Sequence, residues 1–101
     1  MLARTSCTLV SNPKFPEFLS YMQNSVLPHY QNSLGLISVS LLQRVVVGYV
    51  EILILSVWRS QEALEGFTAN DSSAQDIRAR FGAIPMEPHS YEVVASEVGR
   101  F

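Results

Sequence analysis

The chain has 101 residues, 48% of them hydrophobic and only 16% charged, with a formal net charge of −2. A slightly acidic balance leaves no basic footprint for nucleic acid, and a single cysteine, Cys7, excludes an intramolecular disulfide and a cysteine cage for a metal. A domain of this length hides about two thirds of its unfolded surface, and charge well under the usual ~25% implies that part of the surface meets protein rather than water.

The opening MLARTSCTLV has no apolar run long enough for a secretory signal. With a lone thiol, that leads us to expect a cytoplasmic protein. Residues 34–58 are rich in Leu, Val and Ile, and a bilayer span needs about 20 mostly apolar residues. Gln43, Arg44 and Glu51 fall inside the window, where charge is costly. Two strands are expected there, and no membrane span.

In chain order, ARTSCTLV (residues 3–10) reads as a first strand. Ser11 or Asn12 then caps a helix with Pro13 in its first turn. Phe15, Phe18, Leu19, Met22 and Val26 give that helix one apolar face. Pro28 either ends it or kinks its last turns. Gly35 closes the connection to LISVSLLQR and GYVEILILSVW, two long strands joined through VVVG. Gly48 is the conventional turn residue of that joint, while its valines favour extended backbone.

After Trp58, Ser60 is placed to cap a second helix, with Glu62 in its positive first turn and Ala63, Leu64 and Phe67 pointing inward. Asp71 or Ser72 starts a short helix carrying Ile77 and Phe81, which Gly82 and Pro85 stop. HSYEVVASEV (residues 89–98) reads as a fourth strand. The order β-α-β-β-α-β predicts one domain over residues 1–101, of the α+β class. Its expected architecture is ferredoxin-like, a four-stranded antiparallel sheet with the helices on one face.

A sheet covered on one face and wetted on the other alternates apolar and polar residues. The third strand does not: Leu53, Leu55 and Val57 lie in one phase, and Val50, Ile52, Ile54 and Trp58 in the other. In the second strand Leu36 and Leu42 oppose Ile37, Val39 and Leu41. One set packs under the helices and the other needs a partner, most simply a second copy through an isologous contact. A homodimer through the sheet faces is therefore expected.

LGLISVSLLQR, VEILILSVWRSQEALEGF and HSYEVV resemble the antibiotic biosynthesis monooxygenase family of dimeric α/β barrels, above all in VWRSQEAL. The resemblance implies a small homodimer with a pocket in each subunit between sheet and helices. It also implies cofactor-independent oxidation of a small aromatic or quinol-like phenol by dioxygen, the phenolic proton leaving first. Another branch of the family cleaves haem with an Asn on the first strand, a Trp on the helix after the Trp-x-Ser motif and a His about ten residues on. Here ARTSCTLV has no Asn, Phe67 stands at the Trp position, and Asp76-Ile77-Arg78 lie near the His position, so that route is not expected.

Among candidate site residues, Trp58 either stacks on a flat substrate or plugs the space between sheet and helix. His89 and Tyr91, two apart on a strand, face one way. They form a candidate catalytic pair for moving a phenolic proton, or else an exposed strand start and a packing ring. Phe67, Phe81 and Arg59 complete the candidate substrate contacts, with surface solvation the default for Arg59. Glu51, near the hairpin end, is placed to reach water or to pair with an arginine of the neighbouring strand, and Cys7 reads as a small buried hydrophobe. No metal site and no cofactor are expected, since two histidines without spaced carboxylates make no ligand set. The alternative function is a non-enzymatic small-molecule-binding or stress-related dimer of the same fold. An enclosed cavity with a His, Tyr or Arg converging on it favours chemistry; one filled by Trp58, Phe67 and Phe81 favours packing.

Overall fold

The computed structural model describes residues 1–99. Strand β1 (Leu2–Ser11) runs into a 3₁₀ turn over Asn12–Lys14 and then a continuous helical segment. That segment comprises α1 (Phe15–Tyr21), a π turn (Met22–Val26) and α2 (Leu27–Gln31). The hairpin of β2 (Leu36–Val46) and β3 (Tyr49–Trp58) follows, then α3 (Gln61–Ala69), α4 (Ser73–Phe81), β4 (Ile84–Pro85) and β5 (His89–Glu92). The strands form one five-stranded sheet in the order β2-β3-β1-β4, with β5 also paired to β1. Every pairing is antiparallel.

The first helix does not break at Pro28. Proline has no N–H to give its preceding turn, and its ring crowds the carbonyl four residues back. The chain widens its turn just before it: the Leu27 N–H donates to the Met22 carbonyl, five residues away. Phe18, Met22, Val26 and Tyr30, spaced by four, are all buried. At 3.6 residues per turn such a row drifts around a helix, and the wider turn limits the drift and keeps it over the sheet.

Local signals place the remaining helices as expected. The Ser60 hydroxyl accepts from the Ala63 N–H at 3.2 Å, and Leu64 and Phe67 point into the core. The Asp71 carboxylate accepts from the Ser73 N–H at 3.0 Å at the start of α4, and Gly82 ends that helix in the left-handed region at φ 61°. Gly35 is also left-handed, at φ 83°, and a Cβ there would sit 2.4 Å from that of Ala63. Its carbonyl accepts from the Arg59 N–H at 2.8 Å, tying the start of β2 to the end of β3.

The hairpin turn is tighter than the VVVG joint of the sequence. Val45 and Val46 stay in the ladder, and Val47 and Gly48 alone make the turn, with Gly48 at φ 79° and no positive φ at Val47. That combination suits a type II turn.

Two strand assignments are corrected. A register shift between Leu36 and Ser38 puts Leu36 opposite Trp58, on the face of Val39 and Leu41 rather than in the phase of Leu42. Such a bulge adds one residue and reverses the alternation beyond it. The last strand is shorter than residues 89–98 and is preceded by another. β4 pairs with Thr8 and Leu9, β5 pairs with Leu2–Thr5, and residues 93–99 belong to no regular element. Pro88, which has no N–H to donate, lies in the break of the ladder between β4 and β5. The last rung of the ladder is Val93 N–H to the Met1 carbonyl, 3.0 Å.

The two phases of β3 separate as their sequence implies. Val50, Ile52, Ile54, Ser56 and Trp58 are buried against the helices, together with Thr8 and Val10 of β1. Leu53, Leu55 and Val57 lie on the open face and are only half-buried, beside Leu9 and the exposed Leu42, Tyr49 and Ile84. Arg44 pairs there with Glu51, its direct cross-strand neighbour. Cys7 is not a buried core residue: it is half-buried on this open face, and its thiol donates to Glu51 Oε1 at 3.4 Å. Among the described residues no helix is long and apolar enough to cross a membrane.

Candidate functional site: a small cavity between sheet and helices

The space between the two layers divides into a filled half and a hollow half. In the filled half Tyr30 and Phe67 stack at 4.4 Å between ring centroids, Trp58 meets Phe67 at 5.0 Å, and Trp58 meets Tyr30 at 6.3 Å. Trp58 is fully buried, and its indole N–H donates to Ser56 Oγ at 2.9 Å. The indole donor is thus used internally, and Trp58 acts as a plug between sheet and helix. Phe81 is buried elsewhere, edge-on to Phe18 at 5.5 Å and near Tyr21 at 5.4 Å.

The hollow half is a small, partly open cavity of about 70 Å³. Strand alternation supplies its polar wall: Arg4, Ser6 and Thr8 share the helix-facing phase of β1 with Val10. Ile54, Met22, Val26 and Ile77 supply apolar walls from β3, the π turn and α4. Asp71 and Ser73 stand where α4 begins, and Met86 and Pro88 form a strap between β4 and β5. A volume of this size holds about two waters, while pockets for organic ligands run to roughly 300–1,000 Å³. A ligand must therefore move a wall, and flexible Met22 and Met86 suit that task; Met86 is half exposed.

Arg4 is held from two sides. Its Nη1 donates to the Tyr30 hydroxyl at 3.4 Å, and Ser56 Oγ donates to its backbone carbonyl at 3.4 Å. Burial, the largest cause, pushes the Tyr30 phenol up to about 12, the Asp71 charge acting the same way and Arg4 opposing both. Tyr30 therefore stays a neutral phenol at physiological pH.

The residues singled out from the sequence do not line this cavity. Trp58 and Phe67 come together next to it, and Phe81 belongs to a separate aromatic contact. His89 and Tyr91 do share a face, with centroids 6.5 Å apart. They sit opposite Thr5 and Ala3 on the open side of the sheet. Arg59 is exposed at the start of α3. His29, also exposed, stacks on Phe67 at 4.9 Å above a separate open cleft. Sequence reasoning missed Arg4 and Tyr30. The one signal for Arg4 was its phase, shared with Val10 on a strand whose other neighbours are small.

Among the described residues no group of three or more His, Cys, Asp or Glu side chains is placed to hold a metal. Haem does not fit the residues at the cavity either. Haem iron takes an axial His, Cys, Tyr or Met, with Met accompanied by His, and His29 and His89 both lie off the cavity. On α3 Phe67 belongs to the aromatic stack, while on α4 Ile77 lines the wall and Asp76 and Arg78 are exposed.

Solved structures align with the chain over nearly its whole length. A structure from Deinococcus radiodurans assigned to the antibiotic biosynthesis monooxygenases aligns with a TM-score of 0.77 at 14% identity, over 100% of this chain and 98% of that one. The heme degrader MhuD from Mycobacterium tuberculosis, with two hemes bound in its active site, aligns at 0.70 and 24%, over 98% and 100%. SnoaB, a cofactor-independent oxygenase from Streptomyces nogalater, aligns at 0.67 and 13%, over 94% and 95%. No family model matches the sequence, and no curated protein matches it. At such identities the likeness establishes the fold: the chain has the ferredoxin-like α+β fold of the antibiotic biosynthesis monooxygenases.

Proposed function

We propose that the chain pairs through its open sheet face and that each subunit takes a small aromatic phenol into the cavity and oxygenates it with dioxygen, without a cofactor. The observation that carries this reading is the small cavity between sheet and helices, apolar on most sides with polar groups from β1 and from the start of α4. Ligand sites have that character, and a cofactor-independent oxygenase shares the fold.

In the reaction the phenol loses its proton, and the ring, now electron-rich, reduces dioxygen. One oxygen atom ends on the ring carbon as a carbonyl. The other leaves as water with the phenolic and ring hydrogens, giving a quinone. The protein's part is to orient the ring, exclude water and stabilise the anion. Asp71, at the cavity wall, is the carboxylate available to receive the proton. His89 and Tyr91 belong to the pairing face in this reading.

Oxygen uptake by the purified chain, followed with a panel of quinols and polycyclic phenols, tests the proposal. Uptake matched by quinone absorbance supports it, and no uptake with any of them overturns it. A second reading, a dimer that binds a small molecule without transforming it, is favoured by the small cavity volume and by histidines that both lie away from it.

A further inference from the structure

We propose that Arg4 is the anion-binding residue of the cavity, with Tyr30 as its positioning residue, so that the site selects ligands bearing an anionic oxygen. This rests on the reading that the cavity is the ligand site, and not on any turnover there.

A guanidinium keeps its charge at any ordinary pH and carries five donors in a fixed fork. Arg4 is half-buried at the cavity wall, and among the described residues no carboxylate lies within ion-pair distance of it. Its charge is thus partly withdrawn from water without a counter-ion, and an anionic ligand would supply one. Buried groups, and not solvent alone, contact both its backbone and its guanidinium. Ser56 holds the backbone carbonyl, and Tyr30, 1% exposed, accepts from Nη1. Ser56 is itself fixed by the Trp58 indole. The plug and the arginine thus belong to one hydrogen-bonded chain across β3, β1 and α2.

Asp71 stands on the same cavity and is near enough to act electrostatically on Tyr30, yet it forms no ion pair with Arg4. The two charges face the hollow separately. Such a site suits a molecule with an anionic oxygen at one end and a hydrogen-bond donor at the other. The neighbouring Ile54, Val26 and Ile77 favour a flat apolar body between them.

Calorimetric titration under nitrogen tests this with two probe pairs, benzoate against benzamide and para-nitrophenolate against para-nitroanisole. The wild-type chain should prefer an anion over its neutral partner by about tenfold or more, as expected for a hydrogen bond to a charged group. A preference confined to one pair identifies that oxygen, carboxylate or phenolate, as the one recognised. Arg4→Met, which keeps an unbranched apolar stem, should abolish the preference while leaving the neutral probes unchanged. Tyr30→Phe should reduce it, and Arg4→Lys should restore part of it. No preference in either wild-type pair, or equal loss for anion and neutral probe in Arg4→Met, overturns the proposal. Should Arg4→Met fail to fold, the wild-type ratio and Arg4→Lys decide it. An idle oxygen electrode beside an intact anion preference would remove the oxygenase reading and keep this one.

Discussion

At the scale of single residues, charge and burial separate what the sequence could announce from what it could not. Glu51 and Arg44 are seven apart, on strands joined by a two-residue turn, so their pairing follows from hairpin geometry alone. The Arg44 guanidinium, and after it the Cys7 thiol, hold the Glu51 carboxyl below its usual range. Arg4 and Tyr30 are 26 residues apart and meet only once a helix has crossed the sheet. No local pattern reports such a contact. The buried phenol makes its own prediction. A group whose folded pKa rises from 10 to about 12 stabilises the protein fully below pH 10. It loses that contribution as pH climbs through 12, worth on the order of 3 kcal/mol. Urea denaturation between pH 9 and 12 should show this decline in the wild type, and Tyr30→Phe should flatten it. Parallel slopes in the two proteins would contradict the assignment.

Among the elements, those set by short-range chemistry were legible: the Ser60 cap, the Gly82 stop and the inward Leu64, Phe67, Ile77 and Phe81 all stand where spacing put them. The bulge at the start of β2 and the division of the last strand were not. Both depend on which residue a strand meets across the sheet, and one added residue exchanges the faces. Gly35 joins the two kinds of information. As a turn residue it could be read from the sequence, but its contact with Ala63 could not. Gly35→Ala should cost about 2–4 kcal/mol, because it adds a steric overlap to an unfavourable left-handed backbone. Chemical denaturation measures that cost directly. A loss below half a kilocalorie would mean that α3 yields readily.

For the whole molecule, the open sheet face dominates. Leu9, Leu53, Leu55 and Val57 are half-buried there, and Leu42, Tyr49, Ile84 and Tyr91 are exposed around them. Apolar surface of that continuity usually marks an interface, and a stable one hides roughly 800 Å² on each partner. Light scattering should therefore return twice the 11.3 kDa chain mass, and Leu55→Arg should halve the particle while far-UV circular dichroism holds. A wild-type monomer at micromolar concentration would dismiss the pairing. The π turn sets a different tolerance. It carries more chain than an α turn over the same rise, so deletion of exposed Asn24, together with Pro28→Ala, should still bring Tyr30 to Arg4. The same deletion within α3 would rotate Phe67 about 100° away from Trp58. One helix has slack for a change of length where the other has none.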